Sequence, residues 1–308
     1  MSPPPGPALF DPRQVRRAFS RAARSYDDAA ALQHEVESRL LEALDYLDDP
    51  VVQRPTPQVV VDLGSGPGSA AARLRARWPR ARVVAIDLAL PMLQQARARA
   101  GSRLRHPLRR AVDLVCADAR ALPLAAGSAD VLVSNLCLQW LEDLPAVFAG
   151  FRRVLRPGGM LLVSTFGPDT LHELRAAFAA ADARPHVSPF ADIARFGDAL
   201  VHAGFRDPVL DRDAFHQRYP DLPALMRELR ALGATNALAG RRRTLTGRAR
   251  FAAAAAAYEP LRVADGLPAT WEVIYAHAWA PPPGAPIREG GLEVTTVPVA
   301  DIPIRRRR

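Results

Sequence analysis

The chain has 308 residues, of which 49% are hydrophobic and 24% are charged, and its formal net charge is +9. This length and apolar fraction allow one large domain with a substantial buried core. No apolar run reaches the roughly 18 residues of a membrane-spanning helix, and the N-terminal residues lack the basic and apolar regions of a secretory signal. We therefore expect a cytoplasmic protein without a membrane partner.

The positive charge is weak evidence for a nucleic-acid partner. All 41 basic residues are arginine and the chain contains no lysine, a pattern typical of GC-rich codon bias. Aromatic residues are few, and none alternate with a basic run as a base-stacking platform requires. The two cysteines, Cys116 and Cys137, do not form a closely spaced ligand pair. We expect neither nucleic-acid binding nor a metal site.

The N-terminal part is predicted to be helical after a short tail. Residues 1–10 are rich in proline and are expected to be disordered. Asp11 followed by Pro12 predicts the start of a helix, and a second helix is predicted over about residues 29–47, with Tyr26 at the junction. A polar linker then leads to residue 57.

An apolar run followed by glycines is the most informative motif. Val59 to Val61 are β-branched and suit a strand buried in a parallel sheet. The chain continues as DLGSGPG from Asp62 to Gly68 and enters a helix. Alternate glycines leave the main chain open to a closely approaching ligand. Strand, loop and helix predict a nucleotide-type crevice at the carboxyl edge of the sheet.

The glycine spacing distinguishes two kinds of nucleotide site. A dinucleotide fingerprint places its third glycine three residues after the second, where this chain has Ser69. The pattern D-x-G-x-G-x-G instead resembles motif I of class I methyltransferases that use S-adenosylmethionine. A second strand ends at Asp87, whose carboxylate can accept two hydrogen bonds from a ribose diol in either kind of site.

Three further strand patterns extend this resemblance to residues 58–166. A third strand ends at Cys116, a fourth ends at Ser134, and a Pro-Gly-Gly turn leads into a fifth. The resemblance implies an α/β, Rossmann-like fold with a seven-stranded, mostly parallel sheet, and S-adenosylmethionine as cofactor. It also implies the cofactor-binding residues, which are Gln33, Asp62, Gly64, Gly66, Gly68, Asp87, Leu88, Met92, Asp118, Ala119 and Asn135.

The rest of the chain departs from a minimal fold of this kind. Residues 11–57 are expected to cover the cofactor crevice, and residues 167–280 to complete the sheet. A helical insertion between the sixth and seventh strands is predicted to form a substrate lid, and residues 205–220 are predicted as two short strands. Residues 281–308 are expected to form a disordered basic tail.

The flanking motifs narrow the resemblance. FSRAARSYDDAAALQ, SNLCLQWLEDL, RPHVSPF and LRALGATNALAGRRRTLTG, together with the glycine loop, resemble the malonyl-acyl-carrier-protein O-methyltransferases of biotin synthesis over about residues 11–280. The resemblance implies methyl transfer to the free carboxylate of a malonyl thioester, with acyl carrier protein as the partner that carries it.

A carboxylate acceptor limits what the protein must supply. It is already ionised at neutral pH, so no general base is required, and positioning should dominate catalysis. A guanidinium presents paired donors that fit a carboxylate, and we predict Arg241 for this role. Tyr26 and His186 are predicted to share the orientation of the acceptor.

Two other functions remain open from the sequence. A methyltransferase of the same fold could act on another small carboxylate. A relative could instead bind the cofactor as an assembly factor without methylating malonyl groups. An NAD-dependent oxidoreductase is disfavoured by the glycine spacing and by the lack of a Tyr-x-x-x-Lys pair.

Overall fold

The computed structural model describes residues 8–51, 54–100, 111–242, 244, 247–282, 285, 287–289 and 292–294. Seven of its strands are Val59–Leu63 (β1), Arg82–Asp87 (β2), Asp113–Cys116 (β3), Ala129–Ser134 (β4), Leu155–Phe166 (β5), Arg206–Tyr219 (β6) and Leu267–Trp279 (β7). They form one sheet in the order β3-β2-β1-β4-β5-β7-β6. β1 to β5 are parallel, and β7 is antiparallel to both of its neighbours. The predicted Rossmann-like, mostly parallel sheet is confirmed.

Helices cover both faces of the sheet. They are Pro12–Ala22 (α1), Tyr26–Ala29 (α2), Ala31–Glu42 (α3), Asp45–Asp48 (α4), Ser69–Arg77 (α5), Leu90–Ala100 (α6), Leu144–Val154 (α7), His172–Ala179 (α8), Ile193–His202 (α9), Leu222–Ala231 (α10) and Arg248–Tyr258 (α11). In the described part of the chain, no helix is long and apolar enough to cross a lipid bilayer.

The central strands are apolar at successive positions because both of their faces are buried. Val60 of β1 packs in one cluster with side chains of α3 and α5. Its neighbour Val61 packs in another cluster with side chains of α7 and α9. Successive side chains of a strand point to opposite faces, so this arrangement makes a three-layer structure with the sheet in the middle.

α1 begins where the sequence predicts. The Asp11 carboxylate accepts hydrogen bonds from the N–H groups of Arg13 and Gln14 at 3.1 and 3.2 Å, and Pro12 occupies the first turn. Both features satisfy or remove N–H groups that a helix start leaves without an intrahelical partner.

The second predicted helix is not continuous, so that prediction is wrong. α3 ends at Glu42, and the one-turn helix α4 follows after Leu44. Leu44 and Leu47 both stay buried against the sheet. The apolar spacing that predicts one long helix therefore also fits two helices that follow the same core surface.

The expectation of disorder over residues 1–10 is wrong for its last residues, and residues 1–7 lie outside the described part. Phe10 forms an antiparallel bridge with Leu238, and its N–H donates a hydrogen bond to Glu142 at 2.6 Å. Its side chain is buried. Burial of this ring between two distant segments orders the backbone here despite the prolines that precede it.

β6 also differs from the prediction, because it is one strand of 14 residues and not two. The pairing of β6 with β7 shifts in register between Arg206 and Val209, and Asp207 has a φ of 49°. Pro208, which has no N–H, is tolerated at such an irregularity in an edge strand. From Val209 onward the pairing continues without interruption to the end of the strand.

The predicted insertion between β6 and β7 is confirmed by the order of elements. It contains α10 and α11, and it contacts the N-terminal part of the chain. The Ser25 hydroxyl donates to the Ala231 carbonyl at 3.0 Å, and a Cβ on Gly233 would lie 3.1 Å from the Phe19 ring. The insertion and α1 are therefore neighbours.

The expectation of a disordered tail over residues 281–308 is wrong for two short strands. Ile287–Glu289 (β8) and Leu292–Val294 (β9) pair antiparallel, and β8 lies beside α9. Ile287 and Val294 are β-branched residues, which favour strands. The four arginines that end the chain lie outside the described residues.

Gly68 provides a test of the fold. Its φ is +83°, and an added Cβ would lie 2.8 Å from the Cβ of Ala96 on α6. Gly68→Ala should lower the free energy of unfolding by about 1 to 3 kcal/mol, because the side chain meets both backbone strain and overpacking. Denaturant unfolding monitored by circular dichroism measures the change.

The matched control is Gly150→Ala. Gly150 lies inside α7, has no left-handed backbone and has open space where a Cβ would be. This change should raise the free energy of unfolding by up to about 1 kcal/mol, because alanine favours a helix. Equal effects of the two changes would contradict the packing of α5 against α6.

Candidate active site

The glycine loop after β1 is held by hydrogen bonds to the end of β2. The N–H groups of Gly64 and Ser65 donate to the Ile86 carbonyl at 2.8 and 3.0 Å. The Asp87 carboxylate accepts from the Gly66 N–H at 2.9 Å. Its second oxygen accepts from the Ala89 N–H at 2.7 Å, so Asp87 joins the loop to the start of α6.

Glycine is required at the three positions of the loop for different structural reasons. A Cβ on Gly64 would lie 2.6 Å from the Cys137 side chain, and one on Gly68 would collide with α6, whereas one on Gly66 would meet no atom within 4 Å. All three have positive φ. Gly64 and Gly68 allow close packing, and Gly66 leaves its main chain open to the adjacent cavity.

This cavity, which we call the cofactor cavity, encloses about 860 Å³, part of it open to solvent. A concave cavity at the carboxyl edge of a parallel sheet is a usual place for a small ligand or cofactor to bind. The cavity brings together most of the predicted cofactor residues, which are Gly64, Gly66, Asp87, Leu88, Met92, Asp118, Ala119 and Asn135. Tyr26, predicted for catalysis, also lines it.

Three predicted cofactor residues do not line this cavity. Gly68 is the left-handed residue before α5 and packs against α6. Asp62 is buried beside the loop, where one of its oxygens has no hydrogen-bond partner. Gln33 lines a neighbouring cavity instead, and its carbonyl accepts from the Asn135 amide at 3.0 Å. Gln33 and Gly68 thus support the site without facing the cofactor cavity.

Two carboxyl groups beside the loop are electrostatically unusual. Burial raises the pKa of Asp87 to about 6. Burial, and secondly the Glu37 carboxylate, raise the pKa of Asp62 to about 8. The Asp62 carboxyl oxygen and the Ser65 hydroxyl are both buried without a partner. Unpaired buried polar atoms beside an open glycine loop fit a polar ligand such as the cofactor.

Asp118 has the opposite environment at another part of the cavity. Its carboxylate accepts from the backbone N–H and from the Nε of Arg120, both at 2.9 Å. The hydrogen bond from the Arg120 side chain lowers the pKa of Asp118. Asp118 is therefore ionised and charge-compensated, and it keeps lone pairs that can accept from an amino group.

A second cavity of about 1,220 Å³, part of it open to solvent, adjoins the first, and we call it the acceptor cavity. The two share the side chains Phe19, Tyr26, Leu136 and Trp140. The Trp140 ring packs edge-on against Phe10 and Phe19, at centroid distances of 5.8 and 5.5 Å. Most of the acceptor cavity's lining side chains are apolar, so a group inside it would be largely desolvated.

His186, predicted to orient the acceptor, lines the acceptor cavity. Its ring stacks on Phe178 at a centroid distance of 4.2 Å, and its Nε2 lies 3.2 Å from Asp182. Arg242 also donates to Asp182, at 3.0 and 3.2 Å, and its hydrogen bonds lower the pKa of that carboxyl. Asp182 therefore stays ionised and fixes the histidine ring.

Arg241 lies elsewhere and lines neither of the two cavities. Its guanidinium donates to the Leu238 carbonyl at 3.0 Å and to Asp11 at 3.2 Å. It thus ties the insertion to the residue that caps α1. The spacing in the sequence could not show this, because 230 positions separate Arg241 and Asp11. The geometry does not support Arg241 as the group that binds the acceptor carboxylate.

The acceptor cavity contains polar groups that the sequence did not single out. Among its lining residues, Gln139, Thr235 and Trp271 each have a buried polar atom without a hydrogen-bond partner. Arg230 is exposed, and it is the arginine of the described residues that lines this cavity. Within the described residues, its guanidinium makes no ion pair. The position of Arg230 next to the buried Leu229 could have marked it in the sequence. A second arginine near the same helix end made that signal ambiguous.

Asp62 predicts how stability depends on pH. Its pKa is raised in the folded protein, so the unfolded chain loses this proton first. The unfolding free energy should therefore fall as pH rises from about 4 to about 8, at no more than about 1.4 kcal/mol per pH unit from this group. Asp62→Asn should flatten this slope and be more stable than the wild type at pH 8.

Urea unfolding of the ligand-free protein at several pH values measures this slope. Asp28→Asn is the matched control, because Asp28 is an exposed carboxylate of α2. It should keep the slope of the wild type. A slope that is the same in all three proteins would show that Asp62 is not a high-pKa carboxyl.

Comparisons with known proteins agree with this geometry. A family model described as a methyltransferase domain matches residues 61–163, from β1 into β5. The YcgJ protein of Bacillus subtilis has a similar structure, with a TM-score of 0.55 at 12% identity, over 80% of this chain and 99% of that one. A phosphoethanolamine N-methyltransferase of Haemonchus contortus gives a TM-score of 0.51 at 17% identity, over 85% of this chain and 57% of that one. These structures show the class I methyltransferase fold.

Sequence relatives are much more similar. A protein of Laribacter hongkongensis named malonyl-[acyl-carrier protein] O-methyltransferase is 49% identical over 88% of this chain and 90% of its own length. A protein of Xylella fastidiosa with the same name is 61% identical over 97% of this chain and 98% of its own length. The cofactor is S-adenosylmethionine, as the resemblance to class I methyltransferases implies. The chain belongs to the malonyl-[acyl-carrier protein] O-methyltransferase family.

Proposed function

We propose that this protein transfers a methyl group from S-adenosylmethionine to the free carboxylate of malonyl-acyl carrier protein, giving the methyl ester that primes pimeloyl synthesis for biotin. The observation that carries the proposal is the junction of the two cavities at Tyr26 and Trp140. Two adjoining cavities of this kind support an acceptor chamber directly beside the cofactor crevice. The names of the relatives with high identity over nearly the whole chain support this choice of acceptor.

The acceptor cavity suits a carboxylate that needs little activation. When bound, S-adenosylmethionine supplies an electrophilic methyl group on a positively charged sulfur. The protein's own residues then have to exclude water and hold one carboxylate oxygen in line. Apolar side chains such as Leu136 and Phe166 line the chamber, and a dry site favours the approach of opposite charges.

Tyr26 is suited to donating a hydrogen bond and not to removing a proton. Burial, and secondly the Asp87 carboxylate, raise the pKa of Tyr26, so its phenol stays protonated at neutral pH. It lines both cavities, which supports a role for it between the donor and acceptor groups. No base is needed there, because the acceptor carboxylate is already ionised.

We assign the orientation of the acceptor to Tyr26 and His186, and we assign the cationic group to Arg230 in place of Arg241. His186 is held by Asp182 at 3.2 Å, which leaves its other ring nitrogen for a ligand. Arg230 lines the acceptor cavity and is not engaged by a carboxylate of the described residues. A guanidinium without a partner can attract the acceptor carboxylate, whereas Arg241 is already bonded to Asp11.

The substrate assay tests the proposal directly. The protein is incubated with labelled S-adenosylmethionine and with malonyl-acyl carrier protein, malonyl-pantetheine, free malonate or the unloaded carrier. We expect product on the malonyl carrier and little on free malonate. Product only on free malonate or another small carboxylate would show that this small molecule, and not the malonyl carrier, is the acceptor. Bound cofactor with no product on any of them would favour a non-methylating assembly factor.

The arginine assignment is tested with malonyl-pantetheine, which has no protein attached. Arg230→Gln should raise KM by about ten- to hundredfold, since a charge-assisted contact contributes about 1.5 to 3 kcal/mol. It should leave the affinity for S-adenosylmethionine within about twofold. Arg227→Gln removes an exposed arginine one turn away on the same helix and should change neither. Arg241→Gln separates the two assignments: a larger KM effect there than in Arg230→Gln would restore the sequence prediction.

A further inference from the structure

The outer face of α1 is strongly basic. Between Pro12 and Ala22 the helix carries four arginines and no acidic residue, and Arg24 follows it. Four of these arginines, at positions 13, 17, 21 and 24, repeat at intervals of four, four and three. With 3.6 residues per turn, this spacing places Arg13, Arg17 and Arg21 in a stripe about 80° wide along the helix, and Arg24 lies in the turn that follows. We call these four arginines the α1 arginine face.

The α1 arginine face lies opposite the side that covers the cavities. The buried residues of the helix are Val15, Ala18 and Ala22, and Val15 lines the cofactor cavity. The four arginines are exposed. The same helix therefore closes the crevice with its inner side and presents positive charge to solvent with its outer side.

Codon bias explains why the chain uses arginine, but not why these arginines lack partners. Many arginines elsewhere are matched with acids, as Arg77 is with Asp45 and Asp48, and Arg82 is with Asp113. In the part of the chain that the structure describes, the guanidinium groups of the α1 arginine face make no ion pair. Unpaired like charges on one helix face repel each other, and binding an acidic partner would relieve this repulsion.

The Arg24 end of the α1 arginine face lies close to an exposed residue of the acceptor cavity. Ser25, next to Arg24, bonds the carbonyl of Ala231 at 3.0 Å. Ala231 directly follows Arg230, which is exposed and lines the acceptor cavity. A partner on the α1 arginine face would therefore sit beside the point where a flexible linker could enter the chamber.

We propose that the α1 arginine face is the docking surface for an acidic carrier protein, which presents its malonyl group to the acceptor cavity through a pantetheine linker. This proposal rests on the proposed function for the identity of the cargo. Charge complementarity at the rim mainly raises the association rate and selects the partner, and salt weakens it. Docking should therefore affect the carrier-bound substrate and not the same acyl group on a small linker.

The test compares two variants with the same change in net charge. Arg17→Glu/Arg21→Glu reverses two charges of the face, and neither residue lines a cavity. Arg80→Glu/Arg195→Glu reverses two exposed arginines that lie before β2 and on α9. Thermal unfolding and cofactor affinity confirm that both variants are folded.

The α1 variant should raise KM for malonyl-acyl carrier protein by about tenfold, as expected for weakened electrostatic association. Its kcat, and its kcat/KM for malonyl-pantetheine, should stay within about twofold of the wild type. The control variant should match the wild type with both substrates, and added salt should raise the wild-type KM for the carrier alone. Equal behaviour of the two variants, or an equal loss with malonyl-pantetheine, would overturn the docking surface.

Binding of the unloaded, fluorescently labelled carrier separates this proposal from the proposed function, because it requires no turnover. Carrier binding that the α1 variant loses, in a protein that methylates no malonyl substrate, would keep the docking surface and reject the function. Methylation of the malonyl substrates together with equal carrier binding by both variants would keep the proposed function and reject the docking surface. If the wild type bound a short DNA duplex as tightly as the carrier, the α1 arginine face would be a nucleic-acid surface and the proposal would be overturned.

Discussion

The site depends on the way in which the Asp87 carboxylate joins two pieces of the sheet edge. Its oxygens accept from the N–H groups of Gly66 and Ala89 at 2.9 and 2.7 Å. Two further N–H groups of the loop donate to the Ile86 carbonyl. The ends of β1 and β2 are thus held in one arrangement, and the left-handed glycines allow the loop to adopt it. The protein's own bonds therefore preorganise the crevice, as an accurate site requires.

The N-terminal segment and the insertion between β6 and β7 together cover both cavities. The Asp11 carboxylate caps α1 and also accepts from Arg241 of the insertion at 3.2 Å, while Phe10 bridges to Leu238. The inner side of α1 supplies Phe19 to both cavities. The cofactor and acceptor cavities therefore share one cover, so a change that loosens α1 should affect both ligands together. This shared cover explains why the charged outer side of α1 is well placed to receive a carrier.

The parts of the site that the sequence predicted are local, and the parts that it missed are not. Gly66, Asp87 and Asp118 follow directly from strands whose apolar runs are visible, so their position at the carboxyl edge is fixed by the sheet alone. Arg230 and Arg241 belong to an insertion whose path depends on contacts with α1, far away in the chain. Periodicity carries no information on such contacts. The order of Phe10 was missed for the same reason, since its partners are Leu238 and Glu142.

The cofactor cavity has one end at Asp118 and another at the glycine loop. The two ends differ in charge and therefore suit different ligand groups. Asp118 is compensated by Arg120, whose hydrogen bond lowers its pKa, so that end is nearly neutral and suits an uncharged base. Near the loop, burial raises the pKa of both Asp62 and Asp87, and an oxygen of Asp62 has no partner. Buried carboxyls of this kind lack positive charge nearby, and a cation beside them would favour their ionised form. The loop end therefore suits a ligand group that donates hydrogen bonds or carries positive charge.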